Sequence, residues 1–324
     1  MAIEVLVATL TALLLGKPVI RGLARLNVRQ TIYAYAPETH RTKEGTPTMG
    51  GFLILLGVVA GTIALSAQPE KRFAIVPLLS LFAGAALFAL IGFVDDHLIR
   101  RLTGQRGLEW KTKLILQLLA GAGALWMASQ VPTLLQEAPS SGQIAQSFAM
   151  GLLGLVWLVG WVNAFNLTDG LDGLAGGLSV IAFGALSLVA RDTYTATTAL
   201  LWAGACLGYL WWNTHPAKVF MGDTGSMALG AAFGLLTWRE ITLMPSVSYA
   251  LNLSVVGAVF AIEVLTVIIQ LSAVKTLKRR VFRATPIHHH FELIGWKETE
   301  IVVRFWIVGA LCAMVALLGW GGGR

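Results

Sequence analysis

Residues 74–96 read AIVPLLSLFAGAALFALIGFVDD, an apolar run that ends on two adjacent carboxylates, Asp95 and Asp96. A helix crosses the hydrocarbon of a bilayer with about 17–25 apolar residues, and no charge interrupts this stretch before the two acids. The run therefore reads as a membrane-spanning helix over 74–94 that delivers a pair of acids to the water interface. Comparable blocks recur along the 324 residues, of which 56% are hydrophobic and 13% charged. The expected spans are 2–20, 49–66, 74–94, 112–129, 148–165, 174–190, 196–212, 224–238, 247–271 and 301–320. The expected fold is all-α, a polytopic integral membrane protein with about ten transmembrane helices in a single domain over 1–324.

Orientation follows from the basic residues, because positively charged loops resist translocation. The loops after spans 1, 3, 5, 7 and 9 hold seventeen Lys and Arg, while the opposite side holds five, Lys71, Arg72, Arg191, Arg239 and Arg324. Both termini are thus expected outside the cytoplasm. The first span lacks a basic leading segment, carries Glu4 and shows no small-residue cleavage pattern before Lys17 and Pro18, so it is expected to remain as a helix. All six histidines and five of the six aspartates lie in the loops on the basic side, and only Asp192 lies opposite. Solubilising acids would be scattered over both sides, so this one-sidedness marks a cytoplasmic active-site face. The net charge of +7 fits anionic headgroups or phosphates as partners, although ordinary positive-inside topology accounts for much of it, and no nucleic acid is expected. Cys206 and Cys312 both fall within expected spans and are read as packing residues.

Five polar constellations lie on that face. Asp95 and Asp96 suit a metal, a general base, or both, since adjacent carboxylates near hydrocarbon repel unless a cation neutralises them; a solvated helix end is the bland reading. The stretch Asn163–Gly177 carries no Lys or Arg, and its Asn166, Asp169 and Asp172 recur every third residue, so on a helical turn they share a face. It lacks the ligand spacing of an EF-hand. Trp211–Ser226 enters span 8 with Asp223 where an N-cap is expected, followed by Thr224 and Ser226 hydroxyls and backbone N–H groups able to bind phosphate. Phe220 is placed to stack on a base. Pro286–Glu292 holds His288, His289 and His290, which are not spaced i, i+4 as on a zinc-binding helix and stand near Arg279, Arg280 and Arg283 as phosphate partners. Lys43–Gly51, with Thr48, closes the first loop and reads by itself as a Pro-assisted turn. Carboxylates, amides, hydroxyls, imidazoles and amines on one membrane face are the inventory of metal-assisted phosphoryl transfer.

At these residues the chain resembles the phospho-N-acetylmuramoyl-pentapeptide transferases, the translocase I family within the polyprenyl-phosphate N-acetylhexosamine-1-phosphate transferases. The resemblance spans essentially the whole chain and rests on Thr46–Gly51, Asp95-Asp96, Asn166–Leu174, Phe220–Ser226 and Pro286–Glu292; the His-His-His-Phe-Glu run points to the muramoyl branch. It implies transfer of phospho-MurNAc-pentapeptide from its UDP carrier to undecaprenyl phosphate, with release of UMP and a requirement for magnesium. It also implies ten helices in a single transmembrane catalytic domain of the bacterial cytoplasmic membrane, commonly as a homodimer. By the same resemblance Asp223 binds magnesium, and Asp95, Asp96, Asp223 and His288 are catalytic, one of the paired acids deprotonating the lipid phosphate. Asn166, Asp169, Asp172, Asn213 and Phe220 belong to the nucleoside-sugar pocket, with Thr48 and Ser226 beside them. Lys43, Lys113, His288, His289 and His290 contact phosphates or sugar.

The chain departs from the family where many members carry Lys three residues after the second Asp; here Ile99 is followed by Arg100 and Arg101. Glu263 lies within span 9, where an unpaired charge costs roughly 2.5–3.5 kcal/mol, and is read as buried and paired. Direct attack and a covalent aspartyl-phosphate route both remain open. The rival readings are a related transferase using UDP-N-acetylglucosamine and a secondary transporter, whose acids would sit near the membrane midplane rather than at one face.

Overall fold

The computed structural model describes residues 2–25, 45–68, 75–99, 107–133 and 141–321. Thirteen α-helices follow one another: α1 (Ala2–Leu14), α2 (Gly16–Arg25), α3 (Gly51–Ser66), α4 (Ile75–Phe93), α5 (Trp110–Thr133), α6 (Ser141–Thr168), α7 (Leu174–Val189), α8 (Thr193–Asn213), α9 (Gly222–Leu243), α10 (Val247–Val256), α11 (Ala258–Leu277), α12 (Ile287–Leu293) and α13 (Glu298–Gly321). The fold is that of an all-α membrane protein. Each expected span coincides with helix, but among the described residues the number able to cross a membrane by length and composition is five, or six if the pair α1–α2, bent by 42°, is one span. The others are shorter, such as α3, α7 and α10, or, like α8 and α9, carry Thr, Asp, Arg and Glu that dilute their apolar character.

Helix α9 is the hub. It is buried along most of its length and packs against α4 on one side and α6 on the other. Small residues make the close approach possible, as in membrane bundles where backbone contact replaces the hydrophobic drive of water: a Cβ on Gly230 would stand 2.6 Å from Val162 Cα and 2.7 Å from Trp161 O. Around this hub Phe165 stacks on Phe260 at 3.7 Å and Phe233 meets Trp161 edge-on at 4.7 Å, joining α6, α9 and α11. The expected ninth span is broken at Gly257 into α10 and α11, and no larger residue fits at the break, since a Cβ there would meet the Trp161 ring at 2.6 Å. Helix α4 widens into a π-turn over Val94–Ile99, where Asp95 and Asp96 lie buried, a distortion common at functional sites.

The opposite end of the bundle is tied by its own polar network. Asp192 caps α8 by accepting from Thr195 N at 3.2 Å and pairs with Arg239 Nε at 2.6 Å. Burial pushes the Asp192 carboxyl up, but Arg239 outweighs it and holds the group below the usual carboxylate range. The fully buried Glu240 accepts from Arg191 N and Asp192 N, each at 3.0 Å, and from Tyr249 Oη at 2.6 Å. Glu240→Ala removes all of these acceptors at once and is expected to destabilise the fold by about 3 kcal/mol. Thermal unfolding in detergent, followed by tryptophan fluorescence, checks this; an unchanged midpoint would contradict it.

Candidate active site

The close of α4, the start of α5, the close of α6 and the start of α9 meet at one end of the bundle. Lys113, in the first turn of α5, ties three of them together. Its Nζ lies 3.0 Å from Asp95 Oδ2, contacts Asp223 Oδ2 directly and reaches Asn166 Oδ1 at 3.5 Å. Asn166 Nδ2 donates to Asp223 Oδ1 and to Ser226 Oγ, both at 2.9 Å. Asp95 Oδ1 also accepts from the backbone N–H of Leu108. The side chains of Lys113 and Asp223 remain 18% and 27% exposed, so this cluster opens outward.

Asp223 is not the cap that its position at the start of a helix suggests. Helix α9 begins at Gly222, and its N-terminal Thr224 donates from both backbone N and Oγ1 to Asp96 Oδ2, each at 3.0 Å. A carboxylate from the π-turn of α4 therefore caps α9 from outside, which frees Asp223 to face Lys113. The Thr46–Gly51 motif supports the same loop from the other side: Phe220 N donates to Pro47 O at 2.8 Å, Gly50 N to Phe220 O at 2.7 Å and Gly51 N to Met221 O at 3.1 Å. Gly222 has φ +72°, and a Cβ on it would meet Asp96 Oδ2 at 2.6 Å and the buried Thr48 Oγ1 at 2.8 Å.

Helix α6 ends at Thr168, so the aspartates that follow part company instead of sharing a helical face. Burial, then the charges of Asp223 and Asp96, push Asp169 up to about 8. Asp172 turns the other way: its Oδ2 lies 3.1 Å from His215 Nδ1 and accepts from Ala217 N at 3.1 Å, while its own N–H donates to Glu298 Oε1 at 2.7 Å. Oxygens and nitrogen of Asp172, His215 and Glu298 lie within 4.8 Å of one another, a second group with metal-ligand chemistry. Buried Asn213 clamps the two loops, accepting from Gly173 N at 3.1 Å and donating to Val219 O at 3.0 Å. Phe220 is partly buried beside it.

The three histidines sit on the short helix α12 and have different surroundings. His288 is fully buried against Glu263, His289 Nδ1 lies 2.6 Å from Glu292 Oε2, and His290 Nδ1 accepts from Arg283 N at 3.1 Å. Lys43 lies outside the described residues, as do Arg100 and Arg101. Asp95, Asp96, Lys113, Asn166, Asp223 and Ser226 are brought together. Two partners escaped sequence reasoning: Glu298, whose only signal is an acid at the edge of an apolar block, and Glu263 as the mate of His288.

The donor set around Asp223 consists of hard oxygens from Asp95, Asp96, Asp223 and the Asn166 amide, the kind magnesium takes, with Lys113 supplying the only ammonium bonded to it among the described residues. Aspartates, an amine and an amide so arranged suit the handling of phosphate charge.

The pattern of glycosyl transferase family 4 matches residues 78–240, which contain this cluster, and the phospho-N-acetylmuramoyl-pentapeptide-transferase signature 1 matches residues 43–55. The chain is similar to the phospho-N-acetylmuramoyl-pentapeptide-transferase of Geobacillus kaustophilus, 42% identical over 323 residues, covering 97% of this chain and 96% of that one. It is similar to those of Moorella thermoacetica, 40% identical over 96% of this chain and 95% of that one, and Bacillus subtilis, 39% identical over 97% and 95%. With identity at this level sustained along both chains and a charge cluster inside the matched region, the chain belongs to the phospho-N-acetylmuramoyl-pentapeptide-transferase family, enzymes of the phosphoglycosyl transferase class.

Proposed function

We propose that the protein transfers phospho-MurNAc-pentapeptide from UDP-MurNAc-pentapeptide to undecaprenyl phosphate in the bacterial cytoplasmic membrane, forming the first lipid-linked peptidoglycan precursor and releasing UMP. The observation that carries the reading is the convergence of Asp95, Lys113, Asn166 and Asp223 from separate helices in a member of this family. The site faces the cytoplasm, where the nucleotide donor is made, and both termini face away, in keeping with the excess of Lys and Arg on the loops at that end. The working unit is a homodimer.

In the reaction an oxygen of the lipid phosphate forms a bond to the phosphorus that carries the sugar, and the bond from that phosphorus to the UMP oxygen breaks. Negative charges must be crowded together for this, so alignment and neutralisation dominate. Lys113 offsets charge on the approaching phosphates. Asp95, held by Lys113 and Leu108 N, is oriented to take a proton from the acceptor phosphate. Asp96 keeps the start of α9, and with it Asp223, in place. Asp223, with Asp95 and Asp96 beside it, would hold Mg2+, which when bound screens the diphosphate and stabilises the departing UMP. Asn166, Asp169, Asp172, Asn213 and Phe220 form the nucleoside-sugar pocket, with Thr48 and Ser226 at its floor. Lys43, His289 and His290 contact phosphate or sugar.

UMP release by the purified protein in detergent with magnesium tests the reading. Turnover is expected with UDP-MurNAc-pentapeptide plus undecaprenyl phosphate, and not with UDP-N-acetylglucosamine or without magnesium. Preference for the simpler sugar would move the protein to the sister activity, and UMP release without lipid would reveal a covalent route.

A further inference from the structure

Glu263 and His288 are both fully buried, with Glu263 Oε1 3.1 Å from His288 Nδ1. The contact joins the membrane helix α11 to the short helix α12. The opposite edge of the imidazole is unusual: among the described residues Nε2 is buried and has no hydrogen-bond partner. That edge lies against Gly170, between Asp169 and Asp172. A Cβ on Gly170 would collide with Nε2, and would come within 2.9 Å of Cε1. An orphaned ring nitrogen thus presses on the turn that carries two of the pocket acids, through the gap left by a missing side chain.

A carboxylate can only accept hydrogen bonds, and a neutral imidazole has one N–H to give. Burial holds the His288 pKa below its ordinary value against the opposing pull of Glu263, so the ring is neutral at neutral pH. We propose that Glu263 is a positioning residue: it accepts a hydrogen bond from Nδ1–H of His288 and so fixes the tautomer in which the bare Nε2 faces the Asp169–Gly173 turn. A nitrogen in that state cannot donate to a phosphate oxygen. The phosphates are left to cationic neighbours such as Lys113. The role assigned to the ring in turnover rests on the transferase reading; the tautomer does not.

The test therefore has two readouts. The full-length protein, labelled with ¹⁵N in its histidine rings and held in detergent, gives the tautomer of His288, whose resonances are identified by their loss in His288→Asn. Protonated Nδ1 and bare Nε2 are expected in the native protein and in Glu263→Gln, which keeps an acceptor. Glu263→Met removes the acceptor and is expected to lose the preference. In the UMP-release assay Glu263→Met should lower kcat by about 10- to 100-fold, the usual loss when the partner behind a working histidine is removed, with little change in KM. Glu263→Gln should retain most of the turnover. Because Glu263 acts through His288, the double variant Glu263→Met/His288→Asn should be no slower than His288→Asn alone. A native protein with Nε2 protonated overturns the proposal even if Glu263→Met fails to fold, and so does a double variant whose losses multiply. Absence of UMP release from the native protein would reject the transferase reading and leave the tautomer result standing.

Discussion

Asp223→Asn is expected to abolish turnover while the protein stays folded. The amide matches the carboxylate in shape, and one of its atoms continues to face Asn166, which donates to Asp223 Oδ1 at 2.9 Å. What disappears is the charge against Lys113 and the strongest oxygen donor for a divalent cation at the mouth of the cluster. Cap geometry is spared, because Asp96 and not Asp223 holds Thr224 N. Asp223 acts through the cation it would hold and through Lys113, which it orients; losing preorganised electrostatic stabilisation typically costs about 10²- to 10³-fold, so a loss on the order of 10³-fold is expected. UMP release measured beside the thermal midpoint decides it: near-normal magnesium-dependent rates in folded Asp223→Asn would remove this residue from the metal site.

Gly92→Ala should produce the next largest loss, by a different route. A Cβ on Gly92 would run into the Asp223 carbonyl group and Thr224 N, which are backbone atoms unable to swing aside. Helices α4 and α9 must then separate, and their junction is where Asp95 and Asp96 meet Asp223 and Thr224. Overpacking of this kind costs about 1–3 kcal/mol, while a shift of about 1 Å in a catalytic constellation costs about 100-fold in rate. Gly92→Ala is thus expected to lower kcat about 100-fold with a modest fall in thermal midpoint. Gly123→Ala is the matching control, since a Cβ there finds only Leu87 Cδ1 at 3.8 Å. Equal activity in the two variants would show that the helix junction tolerates the methyl group.

The helices were readable from the sequence because apolar blocks in lipid have few other ways to satisfy their backbone. What periodicity does not report is depth and breakage. The split at Gly257 leaves no mark in the apolar pattern, and the shortfall in clear spans comes from the short helices α3, α7 and α10 and from α8 and α9, whose polar residues dilute their apolar character. The acidic clusters were equally readable as clusters, since charge beside hydrocarbon needs a reason. Their internal wiring was not. Asn166, Asp169 and Asp172 are evenly spaced, yet the helix stops at Thr168 and sends Asp172 towards His215 and Glu298, more than forty residues away in sequence. Asp223 looked like a cap because position alone suggests it; the real cap arrives from Asp96, 128 residues distant. Likewise Glu263 was expected to be paired, but the partner, 25 residues on, is visible only when α12 folds back.

The external capping of α9 gives the two adjacent acids separate occupations. Asp96 Oδ2 is engaged by Thr224, whereas Asp95 faces Lys113 and the Leu108 amide. The two carboxylates are therefore not interchangeable in this fold. One member anchors the start of a neighbouring helix and the other faces an ammonium and an amide at the mouth, so the peptide bond between them joins a structural tether to an open charge cluster.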